Sequence, residues 1–150
     1  MYRIVADAAN LMRLQVKPPA EYTYLLSAVV GALLAIGAVN AASIAPWFQG
    51  QYGFAAFMFC LHVLKWPFFS WMINQMLKRR GEVKQNYAGL VLASELLTVP
   101  VLLNPYVPQA GFLVMLWQSW AFVATVLCLS KLSEAGILKV LLGYFLGFVF

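Results

Sequence analysis

Two long apolar runs are separated by Lys78-Arg79-Arg80-Gly81-Glu82-Val83-Lys84. This segment, which we call the basic hinge, holds four of the ten Lys and Arg residues in the chain. Charged groups cost kilocalories each inside hydrocarbon, so the runs on either side must leave a membrane at this point. The depth of every other segment can therefore be counted from the basic hinge.

The composition excludes an ordinary soluble domain. Of 150 residues, 63% are hydrophobic and only 10% are charged, whereas a soluble domain has about 25% charged and roughly 45–50% apolar residues. The net charge is +5, but all the basic residues except Lys65 fall outside the apolar runs or at their ends. That distribution is what membrane topology requires, and it argues against nucleic acid as a partner.

The apolar runs predict an all-α fold, a polytopic transmembrane helix bundle of five spans in a single membrane domain over residues 1–150. A crossing takes about 20 residues. The fifth run is 16 residues long and covers roughly 24 Å as a helix, so it can end inside the outer interface. The spans are predicted at about residues 22–45, 52–77, 86–103, 110–130 and 135–150.

The basic residues also predict the orientation of the chain. With five crossings, three, four and two Lys or Arg residues fall in the segments on one side and none on the other. The positive-inside rule then places the N-terminus in the cytoplasm and the C-terminus on the outer side. We expect the membrane to be a bacterial inner membrane.

Residues 2–17 predict an amphipathic helix that lies in the membrane interface ahead of the first span. Its polar residues recur every three or four positions, and its apolar residues fall on or near the opposite face. A frayed cytosolic tail is the alternative. Pro18-Pro19 ends the segment. The polar stripe consists of Arg3, Asp7, Asn10, Arg13 and Lys17.

Two charges fall inside the apolar runs and are expected to meet. Lys65 lies about 20 Å from the basic hinge on the second span, and Glu95 lies about 16 Å from it on the third. Spans joined by a short connection are usually antiparallel neighbours, so the two charges reach similar depths. His62 shares the face of Lys65. An unpaired charge at this depth is costly, so Lys65 and Glu95 should pair. Together with His62 they predict either a structural ion pair or a proton or ion relay.

Small residues predict helix packing, and basic residues predict lipid contacts. Gly31 and Ala35 belong to a small-residue stripe on the first span, while Gly143 and Gly147 form a G-x-x-x-G pair on the fifth. Gln118 is expected to hydrogen-bond to another helix. Clusters of basic residues attract anionic lipid headgroups. The residues expected to do so here are Lys78, Arg79, Arg80, Lys84 and Lys131.

No stretch of the chain matches a phosphate-binding, dinucleotide-binding, hydrolase or metalloprotease motif. His62 is the only histidine, and no His, Cys, Asp and Glu cluster has the spacing of metal ligands. The sequence therefore predicts no catalytic residues, no metal and no cofactor. A lipid-modifying enzyme ranks last among the functions considered.

The closing part of the chain consists of a span that contains Leu116-Trp117-Gln118-Ser119-Trp120, the turn Leu129-Ser130-Lys131-Leu132-Ser133-Glu134-Ala135-Gly136, and the fifth span. In this closing part, and in its layout of an amphipathic lead-in followed by five closely spaced spans, the chain resembles the Yip1-domain superfamily of small five-span membrane proteins. The acidic-Tyr-Gly-Pro motif of eukaryotic members has no counterpart, so the resemblance assigns no functional residues. It implies a non-enzymatic protein of membrane trafficking or organisation.

These patterns favour an integral membrane scaffold, adaptor or accessory subunit. Its partners would be the bilayer, anionic headgroups, and other membrane proteins or a second copy of the chain. The alternative is a small proton- or ion-coupled transporter or channel that uses His62, Lys65 and Glu95.

Overall fold

Helices account for nearly all of the chain that the structure, a computed structural model, describes. The described residues are 1–47, 52–77 and 86–149, with side chains described up to residue 145. The basic hinge lies outside them, and no strand occurs within them. The helices are α1 (Tyr2–Met12), α2 (Leu26–Ile44), α3 (Tyr52–Met76), α4 (Ala88–Glu95), α5 (Leu103–Tyr106), α6 (Gly111–Ser133) and α7 (Ile137–Val149).

Four helical segments within the described residues are long and apolar enough to cross a membrane. The first and second correspond to α2 and α3, the third joins α4 to α5, and the fourth contains α6. The prediction of an all-helical bundle of transmembrane helices is confirmed to this extent. The four segments are Leu26–Trp47, Tyr52–Met76, Ala88–Tyr106 and Pro108–Ser133.

The fifth predicted span, residues 135–150, is not confirmed as a crossing. The structure has α7 there with 13 residues, which cover about 20 Å against a hydrocarbon core of about 30 Å. This helix packs against α3 and α6. Gly143, one of the predicted packing residues, brings it close to α3, since an added Cβ would lie 3.2 Å from Ile73 and 3.3 Å from Met76.

The third span is not a regular α-helix. After α4 ends at Glu95, residues Leu96–Leu102 form a 3₁₀ helix with Pro100 inside it. Proline has no N–H and its ring clashes with the carbonyl four residues earlier. The tighter 3₁₀ helix accommodates Pro100, but the carbonyl of Leu97 then loses its donor at position 100.

Side chains of α6 replace that missing donor. Trp117 Nε1 donates to the Leu97 carbonyl at 2.8 Å, and Gln118 Nε2 donates to the same oxygen at 3.3 Å. The prediction that Gln118 bonds to another helix is confirmed. The irregular part of the third span is thus tied to the fourth span at the depth where its backbone needs a partner.

The small residues of α2 are buried to different extents. Gly31 and Ala35 are only partly buried, whereas the helix buries Ala32, Ile36 and Gly37. A Cβ at Gly37 would lie 3.0 Å from both Phe59 and Val63 of α3. The close approach of α2 to α3 therefore occurs at Gly37, and helix packing at Gly31 and Ala35 stays a prediction. Gly147, the other predicted packing residue of α7, lies outside the residues whose side chains are described.

The N-terminal segment forms α1, but its apolar face is covered by protein. The helix packs on α4 and α6 and buries Ile4, Asp7, Ala8 and Leu11. Trp120 of α6 donates to the Met12 carbonyl at 3.1 Å. Asp7, a member of the predicted polar stripe, is therefore buried against other parts of the protein.

Asp7 is 2% exposed and anchors the segment that links α1 to α2. Its carboxylate accepts hydrogen bonds from Lys17 Nζ at 2.7 Å and from the Tyr24 hydroxyl at 2.9 Å. The hydrogen bond to Asp7 raises the pKa of the Lys17 ammonium. These contacts hold α1 against the bundle.

Replacing Asp7 with alanine should loosen α1, because the Tyr24 hydroxyl loses a charged acceptor. We expect the docking of α1 to weaken by about 1–3 kcal/mol. Hydrogen exchange of the α1 amides should then accelerate about 5- to 150-fold. Glu21→Ala, which removes an exposed carboxylate nearby, is the matched control. Equal exchange rates in the two variants would contradict this role for Asp7.

The start of α4 contacts the backbone that precedes α2. A Cβ at Gly89 would overlap the carbonyl of Tyr22 and would also lie 2.9 Å from Tyr22 Cβ. Tyr22 is itself 4% exposed. Glycine is therefore required at this position for the two segments to approach each other.

Candidate functional site

Lys65 and Glu95 lie side by side between α3 and α4. Lys65 Nζ is 3.3 Å from Glu95 Oε1, and the exposed fractions of the two side chains are 35% and 13%. Sequence counting placed these charges at similar depths, and the structure makes them neighbours. Glu95 is the last residue of α4, so its carboxylate lies where the third span changes from α to 3₁₀ helix.

Hydrogen bonds between α3 and the beginning of α4 fix the register of this pair. Trp66 Nε1 donates to the Ala88 carbonyl at 3.2 Å. Asn74 Oδ1 accepts from the Tyr87 N–H at 2.8 Å, and Asn74 Nδ2 donates to Asn86 Oδ1 at 3.1 Å. Sequence reasoning missed these contacts, although asparagines at both ends of a short connection are a visible signal.

The ion pair lies in the wall of a cavity of about 560 Å³ within the bundle. The volume is in the range of cavities that hold small ligands, about 300–1,000 Å³. Residues of α3, α4, α6, α7 and the 3₁₀ segment contribute to the lining. Its polar members are Lys65, Glu95, Ser94, Thr98, Gln118, Thr125 and Tyr144, and its apolar members are Leu97, Ala121, Phe122, Leu141 and Phe145.

The three hydroxyl groups of Ser and Thr in the lining donate their protons to nearby carbonyls. Ser94 donates to Val91 at 2.8 Å and Thr98 to Glu95 at 2.7 Å. Thr125 donates to the Ala121 carbonyl at 2.7 Å. Because these protons are already used, the hydroxyls face the cavity as hydrogen-bond acceptors and not as donors.

Tyr144 of α7 contributes an aromatic ring to the lining, and its hydroxyl lies beside the Ser94 side chain. Its ring packs edge-on against Phe69 of α3, with centroids 4.9 Å apart, and against Phe122 of α6 at 5.6 Å. These rings hold the phenol in place, and its hydroxyl is buried.

His62 is not part of this arrangement. Its Nδ1 lies 2.8 Å from the Met58 carbonyl of its own helix, and the residue does not line the cavity. Of the predicted set, the structure brings together Lys65 and Glu95 only. Among the described residues, no group of three or more His, Cys, Asp and Glu could hold a metal ion.

Of the residues predicted to contact headgroups, Lys131 alone is described. It is exposed in the last turn of α6 and borders a smaller cavity of about 320 Å³ with Leu14 and Cys128. Lys78, Arg79, Arg80 and Lys84 lie outside the described residues. Headgroup binding at these positions stays a prediction.

The comparisons with known proteins add no assignment. A scan against protein-family models matches no family. Searches of the curated proteins and of the solved structures find no match. The resemblance to the Yip1-domain superfamily is therefore a prediction that no comparison tests.

Proposed function

We propose that this chain is a non-enzymatic membrane protein, an accessory or scaffold subunit that reversibly holds a small molecule beside Lys65 and Glu95. The observation that carries this proposal is the 560 Å³ cavity with an ion pair in its wall. Charged side chains inside a membrane bundle generally mark a functional site. Protein interiors are close-packed, so an ion pair with a purely structural role would not require an open cavity next to it.

The lining supports binding better than catalysis. The Ser and Thr hydroxyls donate to carbonyls, and the Glu95 carboxylate is next to Lys65. No hydroxyl in the cavity is thus paired with a base that would activate it as a nucleophile. The described groups can orient a ligand without reacting with it.

A proton- or ion-coupled transporter is the second candidate, and the interrupted third span favours it. Discontinuous helices near the midplane are typical of transporter binding sites. The position of His62 outside the cavity weakens the specific relay through His62, Lys65 and Glu95. A transporter that uses this cavity would have to rely on Lys65 and Glu95 without His62.

The expected topology is part of the same proposal. We infer a cytoplasmic N-terminus in a bacterial inner membrane, with an outer C-terminus if residues 135–150 complete a fifth crossing. Exposed Lys131 supports a cytoplasmic turn between α6 and α7 that can contact anionic headgroups. The partly exposed Gly31 and Ala35 leave a surface on α2 for another membrane protein or a second copy.

A cavity-filling substitution tests the proposed binding. Thr98→Leu should exclude the bound molecule, because leucine adds volume to the lining. The lost hydroxyl makes only a local hydrogen bond to Glu95, so folding should persist. Native mass spectrometry of protein purified in mild detergent should show a small molecule on the wild type and at least tenfold less on Thr98→Leu.

The matched control is Val99→Leu, because Val99 is 38% exposed and does not line the cavity. This variant should retain the molecule at the wild-type level. Wild-type protein that carries no small molecule, or a molecule retained equally by Thr98→Leu, would contradict the proposed function.

A further inference from the structure

We propose that the cavity binds a zwitterionic amphiphile whose head carries a primary ammonium and an anionic group, the chemistry of an aminophospholipid. This inference rests on the proposed function and adds the class of ligand. The ammonium would bind at Glu95 and the anionic group at Lys65. The tail would leave the cavity past Phe122 and Phe145.

Hydrogen-bond acceptors cluster in the cavity wall where α4 gives way to the 3₁₀ segment. Thr98 donates its hydroxyl proton to the Glu95 carbonyl, and Gln118 donates an amide N–H to the Leu97 carbonyl. The hydroxyl oxygen and the amide oxygen therefore remain as acceptors, and the Glu95 carboxylate accepts at two oxygens. We call the side chains of Glu95, Thr98 and Gln118, which all line the cavity, the acceptor cluster.

The other polar lining residues leave this excess of acceptors unchanged. Thr125 is only 3% exposed, and the Ser94 side chain is hydrogen-bonded to the Tyr144 hydroxyl. Lys65 is the one cation among the described lining residues. A ligand that matches this wall has to bring N–H donors, and a primary ammonium brings three.

The ion pair is open enough for a ligand to divide it. Lys65 Nζ lies 3.3 Å from Glu95, whereas Lys17 Nζ lies 2.7 Å from Asp7, and hydrogen bonds between such charges are usually about 2.7–2.9 Å long. The Lys65 side chain is 35% exposed and that of Glu95 is 13% exposed. Lys65 can therefore turn to an anionic group while a ligand ammonium takes its place beside Glu95.

The charges of the lining favour a zwitterion over a singly charged head. Among the described lining residues, Lys65 is the one cation and Glu95 is the one anion. A head with one charge would leave the cavity with a net charge, which is costly inside a membrane protein. A zwitterion keeps the cavity neutral and gives each of the two side chains a counter-charge.

The apolar side of the cavity indicates a tail. Phe122 and Phe145 line the cavity and are 43% and 68% exposed on the surface of the bundle. In a membrane this surface faces lipid, so an amphiphile can enter the cavity sideways and leave its tail among the lipid chains. A head without a tail would gain nothing from such an opening.

Thermal unfolding of the purified protein in mild detergent, with four probes, tests the inference. Three are the dioctanoyl forms of phosphatidylethanolamine, phosphatidylcholine and phosphatidylglycerol, and the fourth is glycerophosphoethanolamine, which has no tail. Phosphatidylethanolamine should give a saturable rise in Tm and bind at least about tenfold more tightly than the others. Phosphatidylcholine keeps both charges but has no N–H donor, and phosphatidylglycerol has donors but a net negative charge.

Thr98→Val removes one acceptor of the cluster at nearly constant volume. It should weaken phosphatidylethanolamine binding about tenfold, the effect of one lost hydrogen bond to a charged donor. Folding should persist, because the hydroxyl makes only a local hydrogen bond. Ser119→Ala is the matched control, since the Ser119 hydroxyl also donates within its own helix but does not line the cavity. This control should bind like the wild type.

Removing both charges tests the position of the head. The double variant Lys65→Met, Glu95→Leu should no longer prefer phosphatidylethanolamine to phosphatidylcholine, because neither charge of the ligand meets a counter-charge. Two apolar side chains of similar size can replace an ion pair at little cost in stability, so the variant should remain folded. A preference that persists in this variant would refute the assigned position of the head.

The remaining outcomes overturn separate parts of the proposal. Equal binding of phosphatidylcholine would refute the role of the ammonium N–H donors, and a Tm rise with phosphatidylglycerol alone would refute the zwitterion. Equal binding of glycerophosphoethanolamine would refute the tail and indicate a soluble ligand with the same head. If no probe raises Tm, the ligand class is wrong; the proposed function itself fails only if Thr98→Leu also shows no loss of a copurified molecule.

Discussion

Gly89→Ala is expected to disrupt the bundle more than any other single methyl group added to a described glycine. The new Cβ would overlap the Tyr22 carbonyl and would lie 2.8 Å from the carbonyl carbon. Main-chain atoms cannot rotate away as a flexible side chain can. Overpacking of a core costs about 1–3 kcal/mol, and we expect this backbone clash to reach or exceed the upper end.

The surroundings of the clash leave little room for adjustment. Tyr22 is buried, and the nearby Tyr24 hydroxyl bonds to Asp7. On the other side, the Ala88 carbonyl accepts from Trp66. A shift that relieves the clash would thus have to disturb the docking of α1 or the pairing of α3 with α4.

Size-exclusion profiles and thermal unfolding in detergent would measure the effect. Gly53→Ala is the matched control, because a Cβ at this helical position meets nothing within 4 Å. The control should be as stable as the wild type or slightly more stable, since alanine favours helix. If the two variants unfold at the same temperature, the predicted approach of α4 to Tyr22 is wrong.

The second large loss of stability is expected when the ion pair between Lys65 and Glu95 is broken. Glu95→Leu should lower the free energy of unfolding by about 2–3 kcal/mol because it leaves Lys65 without a counter-charge. Fully buried pairs lose about 3–5 kcal/mol on such a change, and the 35% exposure of the Lys65 side chain reduces the expected cost. Lys65→Met should have a similar effect by leaving Glu95 unpaired.

The double variant should recover most of the stability that each single variant loses. Two apolar side chains of similar size can replace an ion pair at little cost in stability. Thermal unfolding of all four proteins gives the coupling energy through a double-mutant cycle. Losses that simply add would show that the two charges do not interact.

The same variants separate the two candidate functions. A double variant that is stable and still carries the copurified molecule would show that the pair is structural. A stable double variant that loses proton-coupled flux in liposomes, where the wild type has flux, would favour the transporter. The Yip1-like role in membrane organisation predicts no flux in either protein.

Much of the site could be predicted from sequence because membrane depth can be counted in residues. Lys65 and Glu95 stand out against apolar neighbours, and the basic hinge gives both helices a common origin. The structure then brings the two side chains within 3.3 Å. Tyr144 could not be placed in this way, because one tyrosine in an apolar helix gives no sign of which helix it faces.

The errors have physical causes. The pattern of α1 shows that one face must be covered but does not distinguish lipid from protein, and burial on α4 and α6 was missed for that reason. Small residues occur on several faces of α2, so the sequence alone did not show that Gly37 approaches α3. The change of helix type at Pro100 was not predicted, and the matching donors on α6 depend on tertiary packing.

The change of helix type also alters the reach of the third span. A 3₁₀ helix rises about 2.0 Å per residue against 1.5 Å for an α-helix. The 19 residues from Ala88 to Tyr106 therefore extend about 32 Å, whereas a uniform α-helix of that length extends about 28 Å. The 3₁₀ stretch around Pro100 thus brings a comparatively short segment close to the ~30 Å of a hydrocarbon core, and rewinding it as an α-helix would shorten the segment by about 3–4 Å.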